Sequence, residues 1–425
     1  KNTTGKKKIV VASILAALTV TSNVMHVDAE NFGNNRAKTG SILIWGQTGS
    51  AASGAHEDGI GIGQNAKVTA NGAIAVGRNA ESASNGVSMG WDAKATGGNG
   101  TSLGMKTGAS GSNATAVGAY AQATKISATA VGNNAAATGN NASAIGYTAL
   151  ADQENDNAFG SKVHANAGGA TAIGYIVNTT GNQAFGGGSN TTVSGPAAVG
   201  IGYKSTVSGN RSVGIGSELS GTNNTATGDY AVAIGAAAQG TAESATAIGK
   251  NASASNTDSI AFGTSAVASE DAAVAIGKNA KASNVGVVAI GQDAKASGYN
   301  AASVGNNSNA SGPTSSAFGN NTVASGVASL ALGNGANATE ANSVALGNQS
   351  TTDAKVDTAT MTIAGKSYTL AGGTANSTVS VGSSTVKRTI TNLAAGRVSA
   401  TSTDAVNGSQ LHAVVQAVES TATVA

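Results

Sequence analysis

The sequence lacks cysteine altogether, and it has two prolines, few aromatic residues (3%) and few charged residues (10%) over its 425 positions. Without cysteine there is no disulfide scaffold, thiol nucleophile or thiolate metal site. The 23 Lys and Arg against 21 Asp and Glu leave no positive excess for a nucleic-acid surface. Low charge with 40% hydrophobic residues is not the composition of ordinary disorder. What is abundant is small: 60 glycines, with alanine and serine, favour a repetitive structure held mainly by its backbone.

The N-terminus has the layout of a secretory signal. Four lysines at 1–8 precede an apolar run at 9–20, and Val27-Asp28-Ala29 offers small residues before a cleavage point. The run is shorter than the roughly 20 residues that a membrane-spanning helix needs. We therefore expect residues 1–29 to be a signal peptide and the rest of the chain to be exported. Because the chain starts with Lys, we also expect some upstream residues to be missing.

Glycine recurs at every fourteenth position through most of the chain. Twenty-one glycines close phrases such as Ala-Val-Gly, and eighteen of the twenty intervals between them have this length. The interval from Gly77 to Gly90 is one position shorter, and the interval from Gly216 to Gly235 is five positions longer, which indicates an insertion near 218–224. We call these residues the key glycines: 63, 77, 90, 104, 118, 132, 146, 160, 174, 188, 202, 216, 235, 249, 263, 277, 291, 305, 319, 333 and 347.

Each repeat predicts two short strands and two turns. The residue before the key glycine, which we call the apolar row, is large and apolar in all but one of the repeats, and alternation of residue type along the chain is typical of β-structure. A second glycine often lies seven positions earlier, as at Gly139 and Gly298, and we expect it to serve a turn that needs positive φ. One repeat would then be one coil of an all-β, parallel β-solenoid whose coils stack.

The residue two before each key glycine, which we call the small row, is Ala fourteen times, Ser three times and Gly four times. It lies on the opposite strand face from the apolar row. If the apolar row fills the interior, the small row is outside, where a solvated face would normally carry polar side chains. The sequence therefore predicts that another copy of the chain covers the small row. The alternative is that these residues are small because they fit a cramped interior.

The chain leaves the period after residue 350. Alternating segments at Thr358–Ile363 and Ser367–Leu370, separated by Gly365, predict a small β insert. A helix is expected to start after Ser402 or Thr403, with Asp404 in its first turn. Its apolar residues follow the 3-4 spacing of a coiled-coil seam: Leu411, Val414, Val418, Thr421 and Ala425.

Two kinds of sequence phrase are distinctive: repeat phrases such as Asn342–Ser350 (NSVALGNQS), and Ser402–Leu411 (STDAVNGSQL) after RTITNLAAG. In these phrases the chain resembles the trimeric autotransporter adhesins of the YadA-like type, and the resemblance covers about residues 41–425. It implies a left-handed parallel β-roll, trimeric, followed by a neck and a short coiled-coil helix. The organisation would be a signal peptide at 1–29, a head at 30–350, a β insert at 351–380, a neck at 381–403 and the start of a stalk at 404–425. Such proteins end in a membrane-anchoring barrel, so the chain is expected to be a fragment whose anchor is missing.

The resemblance also implies a function. The chain would be the head of an adhesin on the bacterial cell surface, secreted across the inner membrane to the outer membrane. As a homotrimer it would bind a host matrix protein (collagen-like or fibronectin-like), a host cell receptor or a partner bacterium, with no nucleic acid and no cofactor. The residues that carry the resemblance are structural ones of the repeat and neck, and none is assigned a ligand contact: Val344, Leu346, Gly347, Asp404, Val406 and Leu411.

Other functions have less support in the residues. A solenoid enzyme would need acidic and basic side chains clustered on adjacent coils, which the sequence does not offer, and an ice-binding rod would need threonine at one constant outward position. A purely structural surface-layer or spacer solenoid remains the alternative. Gly59–Gly63 imitates a nucleotide loop and Asp152–Asp156 imitates the start of a calcium loop, but neither continues the motif. Basic residues at the turns are expected to place positive charge along one edge of the solenoid: Lys67, Arg78, Lys94, Lys250, Lys278, Lys281 and Lys295.

Overall fold

The computed structural model describes His26–Val27, Ile42–Trp45 and residues 56–422. The chain divides into two compact units, Lys1–Tyr230 and Ala231–Ala425. The predicted signal peptide lies outside the described residues except for the strand His26–Val27. That strand pairs antiparallel with Ile42–Trp45, which in turn pairs parallel with Ile60–Ile62.

Each unit contains a parallel β-solenoid, which confirms the predicted all-β, parallel solenoid fold of the single chain. One coil contributes a strand of three to five residues to a first sheet, the long-strand sheet, and a strand of two residues to a second, the short-strand sheet. Equivalent residues pair one coil apart, as Ala275 does with Ala289 and Ala282 with Ala296. The repeat therefore places the same residue type at the same point of successive coils, and identical side chains form straight rows.

The strands of Lys1–Tyr230 are these. The long-strand sheet contains Ile42–Trp45, Ile60–Ile62, Ile74–Val76, Val87–Met89, Thr101–Leu103, Thr115–Val117, Thr129–Val131, Ser143–Ile145, Asn157–Ser161, Thr171–Tyr175, Phe185–Ser189, Val199–Tyr203 and Val213–Ser217. The short-strand sheet contains Lys67–Val68, Glu81–Ser82, Lys94–Ala95, Gly108–Ala109, Gln122–Ala123, Ala136–Ala137, Leu150–Ala151, His164–Ala165, Asn178–Thr179, Thr192–Val193, Thr206–Val207 and Thr225–Ala226.

Ala231–Ala425 repeats the arrangement. Its long-strand sheet contains Val232–Ile234, Thr246–Ile248, Ile260–Phe262, Val274–Ile276, Val288–Ile290, Ala302–Val304, Ser316–Phe318, Leu330–Leu332, Val344–Leu346 and Val379–Ser380. Its short-strand sheet contains Gln239–Gly240, Ser253–Ala254, Val267–Ala268, Lys281–Ala282, Lys295–Ala296, Asn309–Ala310, Val323–Ala324 and Asn337–Ala338. A hairpin, Thr360–Ile363 with Lys366–Thr369, and the helix Gly408–Ala422 complete the unit.

The small row lines the interior of the coil, so the predicted assignment of inside and outside is wrong. Ala75, Ala144 and Ala275 are fully buried within the single chain. What covers them is the opposite sheet of the same chain: a Cβ added to Gly186 of the small row would lie 2.3 Å from Oγ1 of Thr179 and 3.0 Å from Cγ1 of Val177. The interior is therefore too thin for the large side chains, and the alternative of a cramped interior is the correct one.

Besides the key glycine itself, two positions of the coil typically have positive φ, and the second glycine is at neither of them. Asn279, two positions after a key glycine, and Asn141, five positions before one, both have positive φ. Gly139 has no such φ; a Cβ there would lie 1.9 Å from the carbonyl oxygen of Gln153 in the next coil. Close approach of successive backbones, rather than turn geometry, explains the second glycine. Key glycines meet both demands, since Gly277 has φ of 130° and a Cβ on it would lie 2.4 Å from the carbonyl oxygen of Gly291.

The long interval from Gly216 to Gly235 contains a small loop beside an otherwise regular coil. Leu219 and Thr222 pair across a tight turn. Glu218 forms an ion pair of 2.5 Å with Lys204 of the preceding coil and accepts a hydrogen bond from the Gly221 amide. The extra residues are thus accommodated outside the coil, and Thr206 still pairs with Thr225 in the short-strand sheet.

The chain extends the long-strand sheet once more after the last complete coil. Val379 and Ser380 pair parallel with Val344 and Ala345, so the residues between them form an excursion from the sheet. The predicted β insert contains the antiparallel hairpin, whose turn residues Ala364 and Gly365 both have positive φ. That conformation is typical of a two-residue hairpin turn.

Candidate functional site: the outer rows of the coil and the neck

The apolar row lies on the outer surface of the long-strand sheet. Met89 is 47% exposed, Phe262 50% and Leu332 43%, although each is next to a fully buried small-row residue. Parity explains the difference, because successive strand residues point to opposite faces. In each unit the single chain therefore presents a nearly continuous line of Val, Ile, Leu, Met and Phe side chains to solvent. A contiguous exposed apolar line of this kind is typical of an interaction surface.

The basic residues do not share one edge. Lys67, Lys94, Lys281 and Lys295 project from strands of the short-strand sheet, whereas Arg78, Lys250 and Lys278 follow key glycines at a turn. Neighbouring coils partly neutralise the first group, since Lys67 contacts Glu81 at 3.0 Å. The expectation of a single positive edge is therefore wrong, and the charges are divided between two faces of the coil.

The column of key glycines ends under an arginine. A Cβ built on Gly347 would lie 3.1 Å from Cζ of Arg388. At other key glycines, such as Gly277, the added Cβ would meet the backbone of the next coil, so at Gly347 the guanidinium takes the place of that coil. Arg388 donates hydrogen bonds to Oγ of Ser350 at 3.0 Å, to the carbonyl of Val381 at 2.6 Å and to the carbonyl of Asn348. The residue thus satisfies acceptors that the end of the solenoid leaves without a next coil.

An ion pair between Arg397 and Asp404 organises the segment 381–407 between the solenoid and the helix, which is called the neck from here on. The guanidinium donates to both carboxylate oxygens, at 2.8 and 3.1 Å, and the Arg397 amide donates to Oδ2 at 3.0 Å. These hydrogen bonds to the charged form hold the pKa of Asp404 below its usual value. Nearby, the Asn407 side chain donates to the carbonyl of Leu393 at 3.0 Å, which ties the segment before the helix to the preceding one.

The stalk helix begins at Gly408, so the predicted start after Ser402 or Thr403 is wrong. Asn407 is the N-cap: its Oδ1 accepts the Gln410 amide at 3.3 Å, and Gln410 Oε1 accepts the Asn407 amide at 3.1 Å. This reciprocal pair is a capping box. Asp404 is unavailable for the first helical turn because its carboxylate is held by Arg397.

The helix presents an unpartnered apolar stripe. Leu411 is 60% exposed, and Val414 and Val418 are similarly exposed. The side chains of the remaining seam residues, Thr421 and Ala425, lie outside the described residues. An exposed stripe at 3-4 spacing is what a coiled-coil helix presents before it meets its partners.

The six residues expected to carry the repeat and neck fall in two places. Val344 and Leu346 point outward from the last three-residue strand of the long-strand sheet, and Gly347 follows them under Arg388. Asp404 is in the neck ion pair, Val406 is exposed just before the helix, and Leu411 begins the apolar stripe. The sequence analysis did not identify Arg388, Arg397 or Gln410, which make most of the side-chain contacts here. Arg388 is the first residue of the phrase RTITNLAAG, and that phrase was the available signal for it.

The segment that imitates a calcium loop has a different role. Asp156 is fully buried, and its carboxylate accepts the amides of Gln153 and Ala170 at 2.9 Å each. Burial raises the pKa of Asp156, which these backbone hydrogen bonds partly oppose. Asp152 contacts His164 Nε2 at 2.7 Å. Within the described part of the chain, no group of three His, Asp or Glu side chains is placed to hold a metal ion.

In the described part of the chain, the helix Gly408–Ala422 is not long and apolar enough to cross a membrane.

The chain contains stacked short coils, and Arg388 caps the end of the last one. A segment tied by hydrogen bonds then leads to a helix with an apolar stripe. These features define a β-solenoid head followed by a stalk. The YadA head domain repeat matches residues 57–80, 82–107, 109–135, 137–162, 194–218, 220–238, 241–266, 268–294, 296–322 and 324–350. The coiled stalk of trimeric autotransporter adhesins matches residues 389–425. Because the head repeat alone accounts for more than half of the sequence, the chain belongs to the YadA-like trimeric autotransporter adhesins. This is a family of adhesins, which are not enzymes.

Individual relatives cover smaller parts of the chain. The autotransporter adhesin BtaE of Brucella suis is 56% identical over 73 residues, which are 17% of this chain and 10% of BtaE. The C-terminal YadA-like domain of a Burkholderia pseudomallei protein is 48% identical over 23% of this chain and 46% of its own, with a TM-score of 0.23. The collagen-binding domain of the Yersinia adhesin YadA is 28% identical over 44% of this chain and 84% of its own, with a TM-score of 0.30. The chain thus spans a tenth of the curated relative that it matches.

Proposed function

We propose that the chain is the head and first stalk turns of an adhesin on a bacterial cell surface, and that three copies assemble through the apolar row. Membership of the family supports the adhesive role, and the exposed apolar row supports the assembly. Ile145 in the first unit and Ile276 and Leu346 in the second belong to apolar lines that a single chain leaves partly exposed. Burying such a line stabilises an assembly by roughly 25 cal/mol for each Å² of apolar surface removed from water.

The apolar row carries this proposal, and the stalk helix agrees with it. Both surfaces need partners, and a parallel trimer with matched coils would supply both at once. The small row does not contribute, since its residues are already buried within each chain. The domain organisation expected from the sequence is part of this proposal: a β insert at 351–380 would project from the end of the head, and a neck at 381–403 would lead into a stalk at 404–425.

Adhesion would be non-enzymatic and multivalent. Near-identical coils in each unit present the same outer residues many times, and linked weak contacts raise the overall affinity by a factor of about 10²–10⁴ over a single contact. The partners would be a host matrix protein (collagen-like or fibronectin-like), a host cell receptor or another bacterium. Export by an N-terminal signal and an outer-membrane anchor beyond the stalk complete the proposal.

Two measurements on the full chain test it. Sedimentation at micromolar concentration should give three times the mass of one chain. Binding to surfaces coated with collagen, with fibronectin or with whole cells should then show at least one saturable partner. A monomer would contradict the assembly, and a trimer that binds none of these surfaces would favour the spacer alternative.

A further inference from the structure

Most of the large polar aromatic residues of this chain lie along one edge of the first unit. The sequence has two Trp and seven Tyr residues, and five of these nine are the first or second residue after a key glycine. All five are between 40% and 52% exposed. They are Trp91, Tyr120, Tyr147, Tyr175 and Tyr203, which we call the aromatic edge.

The aromatic edge occupies every second coil. Its residues follow the key glycines 90, 118, 146, 174 and 202, and each skips one coil. The register shows the alternation directly, because Tyr175 pairs with Ser161 on one side and Ser189 on the other, and Ser189 pairs with Tyr203. The same ladder reaches Tyr147, whose carbonyl accepts the Lys162 amide at 2.8 Å.

The spacing separates the rings and leaves hydroxyl groups between them. Coils stack at the strand spacing of about 4.8 Å, so equivalent tyrosines two coils apart are about 9.6 Å apart. That is beyond the 4.5–7 Å of direct ring–ring contact. Between successive tyrosines lie Ser161 and Ser189, and Ser189 Oγ accepts the Asn190 side-chain amide at 3.2 Å. The result is ring, hydroxyl, ring, hydroxyl, ring along one straight line.

The interior of the coil does not require these rings. It is filled by small residues, and the position after the key glycine also carries Ala119, Asn133, Ser161 and Lys278. Lysines lie near three of the five rings: Lys106 Nζ is 5.0 Å from the centre of Trp91 and 5.6 Å from that of Tyr120, and Lys204 Nζ is 5.3 Å from the centre of Tyr203. Tyr147, Tyr175 and Tyr203 are successive members of the row that all occupy the first position after a key glycine, and they form its regular part.

We propose that Tyr147, Tyr175 and Tyr203 bind an extended β-1,4-linked polysaccharide. In such a chain every second sugar presents the same face, and the disaccharide repeat is close to the two-coil spacing of the tyrosines. The apolar C–H face of alternate sugars would stack on the three rings, while the sugars between them meet the hydroxyls of Ser161 and Ser189. The inference rests on the proposed adhesive function and names the chemical class of one ligand.

Titration calorimetry of the full chain with hexasaccharides tests this directly. Chitohexaose and cellohexaose, which are β-1,4-linked and extended, should bind, and maltohexaose, whose α-1,4 links coil the chain, should bind at least tenfold more weakly. Tyr175→Ala removes the central ring and should weaken the β-linked ligand at least tenfold, whereas Tyr175→Phe should retain binding. Tyr299→Ala is the matched control, because Tyr299 is 53% exposed at the other turn of a coil in the second unit.

A register variant separates spacing from composition. The double substitution Tyr175→Ser with Ser189→Tyr keeps the same residues at positions that already accept both types, but it breaks the two-coil interval. Its melting temperature should be unchanged and its affinity for the β-linked hexasaccharide should fall at least tenfold. Affinity equal to that of the wild type, or no binding of either β-linked ligand by the wild type, overturns the proposal.

Sedimentation of the same variants distinguishes this failure from failure of the adhesive function. If Tyr175→Ala breaks up the assembly, the edge is covered by a second copy of the chain and the polysaccharide site is refuted, while the adhesin remains. If the wild type adheres to cells or matrix but binds no hexasaccharide, the proposed function stands and only this inference fails.

Discussion

Val207 occupies the space in which a side chain on Gly214 would lie. A Cβ added to Gly214 would be 2.4 Å from Cγ2 of Val207, well inside van der Waals contact. Gly200 has the same relationship to Val193, also at 2.4 Å. Where the short-strand sheet has valine, the small row has glycine in these coils, and where it has alanine, the small row usually has alanine or serine. A larger side chain on one sheet is therefore matched by a smaller residue on the other, so the distance between the two sheets can stay the same.

Gly214→Ala should overpack the coil and lower the free energy of unfolding by about 1–3 kcal/mol. Adding Val207→Ala to that variant should recover part of the loss, because the removed methyl groups are the ones that clash. Denaturant unfolding of the single and double variants measures the coupling. Gly98→Ala is the control, since a Cβ there meets no atom within 4 Å; equal losses for Gly98→Ala and Gly214→Ala would contradict the fitted interior.

Three neighbouring substitutions separate folding from assembly. Ala275→Glu places an unpaired charge in the closed interior and should unfold the surrounding coils, seen as loss of β-structure by circular dichroism. Ile276→Glu faces outward, so it should keep the β-structure and lose the assembled mass in sedimentation. Lys278→Glu, at the turn, should change neither. Similar behaviour of Ala275→Glu and Ile276→Glu would refute the assignment of inside and outside.

Arg388→Ala should loosen the C-terminal end of the solenoid. The variant removes the hydrogen bonds to Ser350 and to the carbonyls of Asn348 and Val381, and we expect a local cost of about 1–2 kcal/mol. Hydrogen exchange should become faster at Gly347 and Ser350, whose amides pair with Leu332 and Gly347. Lys387→Ala, one residue away, should leave those amides protected; unchanged exchange in Arg388→Ala would contradict the capping role.

The neck should weaken in acid because of Asp404. Its pKa is lower in the folded chain than in the unfolded chain, mainly through the Arg397 hydrogen bonds. The stabilising contribution is therefore complete above the unfolded pKa of about 3.9 and is lost as the pH falls through the folded pKa. The protection of the Arg397 amide, measured as its exchange rate relative to the intrinsic rate at the same pH, should fall below pH ~4 in the wild type. In Asp404→Asn this protection should be low at every pH, and an acid profile shared by both proteins would show that another group is responsible.

The helix and the neck show where local signals mislead. Ser402 and Thr403 have good capping side chains, and Asp404 suits a first helical turn, so propensity alone favours an early start. The helix instead begins after Asn407, because Arg397 and the carbonyl of Leu393 hold residues 404 and 407 in the neck. Contacts between segments that are separated along the chain were needed to choose among several acceptable caps.

The side-chain contacts of Arg388 could not be predicted either. An arginine in a polar, threonine-rich segment gives no sign of its partners, and two of its three acceptors lie 38 and 40 residues earlier at Ser350 and Asn348. Only the return of Val379–Ser380 to the long-strand sheet brings the arginine to the end of the glycine column.

The sequence by itself determined the period, the pairing of equivalent residues one coil apart and the sorting of side chains into rows. These follow from a regular repeat and from the alternation of strand residues, both of which can be counted along the chain. Which row faces inward was decided only by the tertiary structure. Alternation is symmetric between the two faces, and hydrophobicity favoured placing the larger residues inside. The distance between the two sheets broke that symmetry, because the gap admits a methyl group such as that of Ala275 and excludes a side chain as large as Ile276.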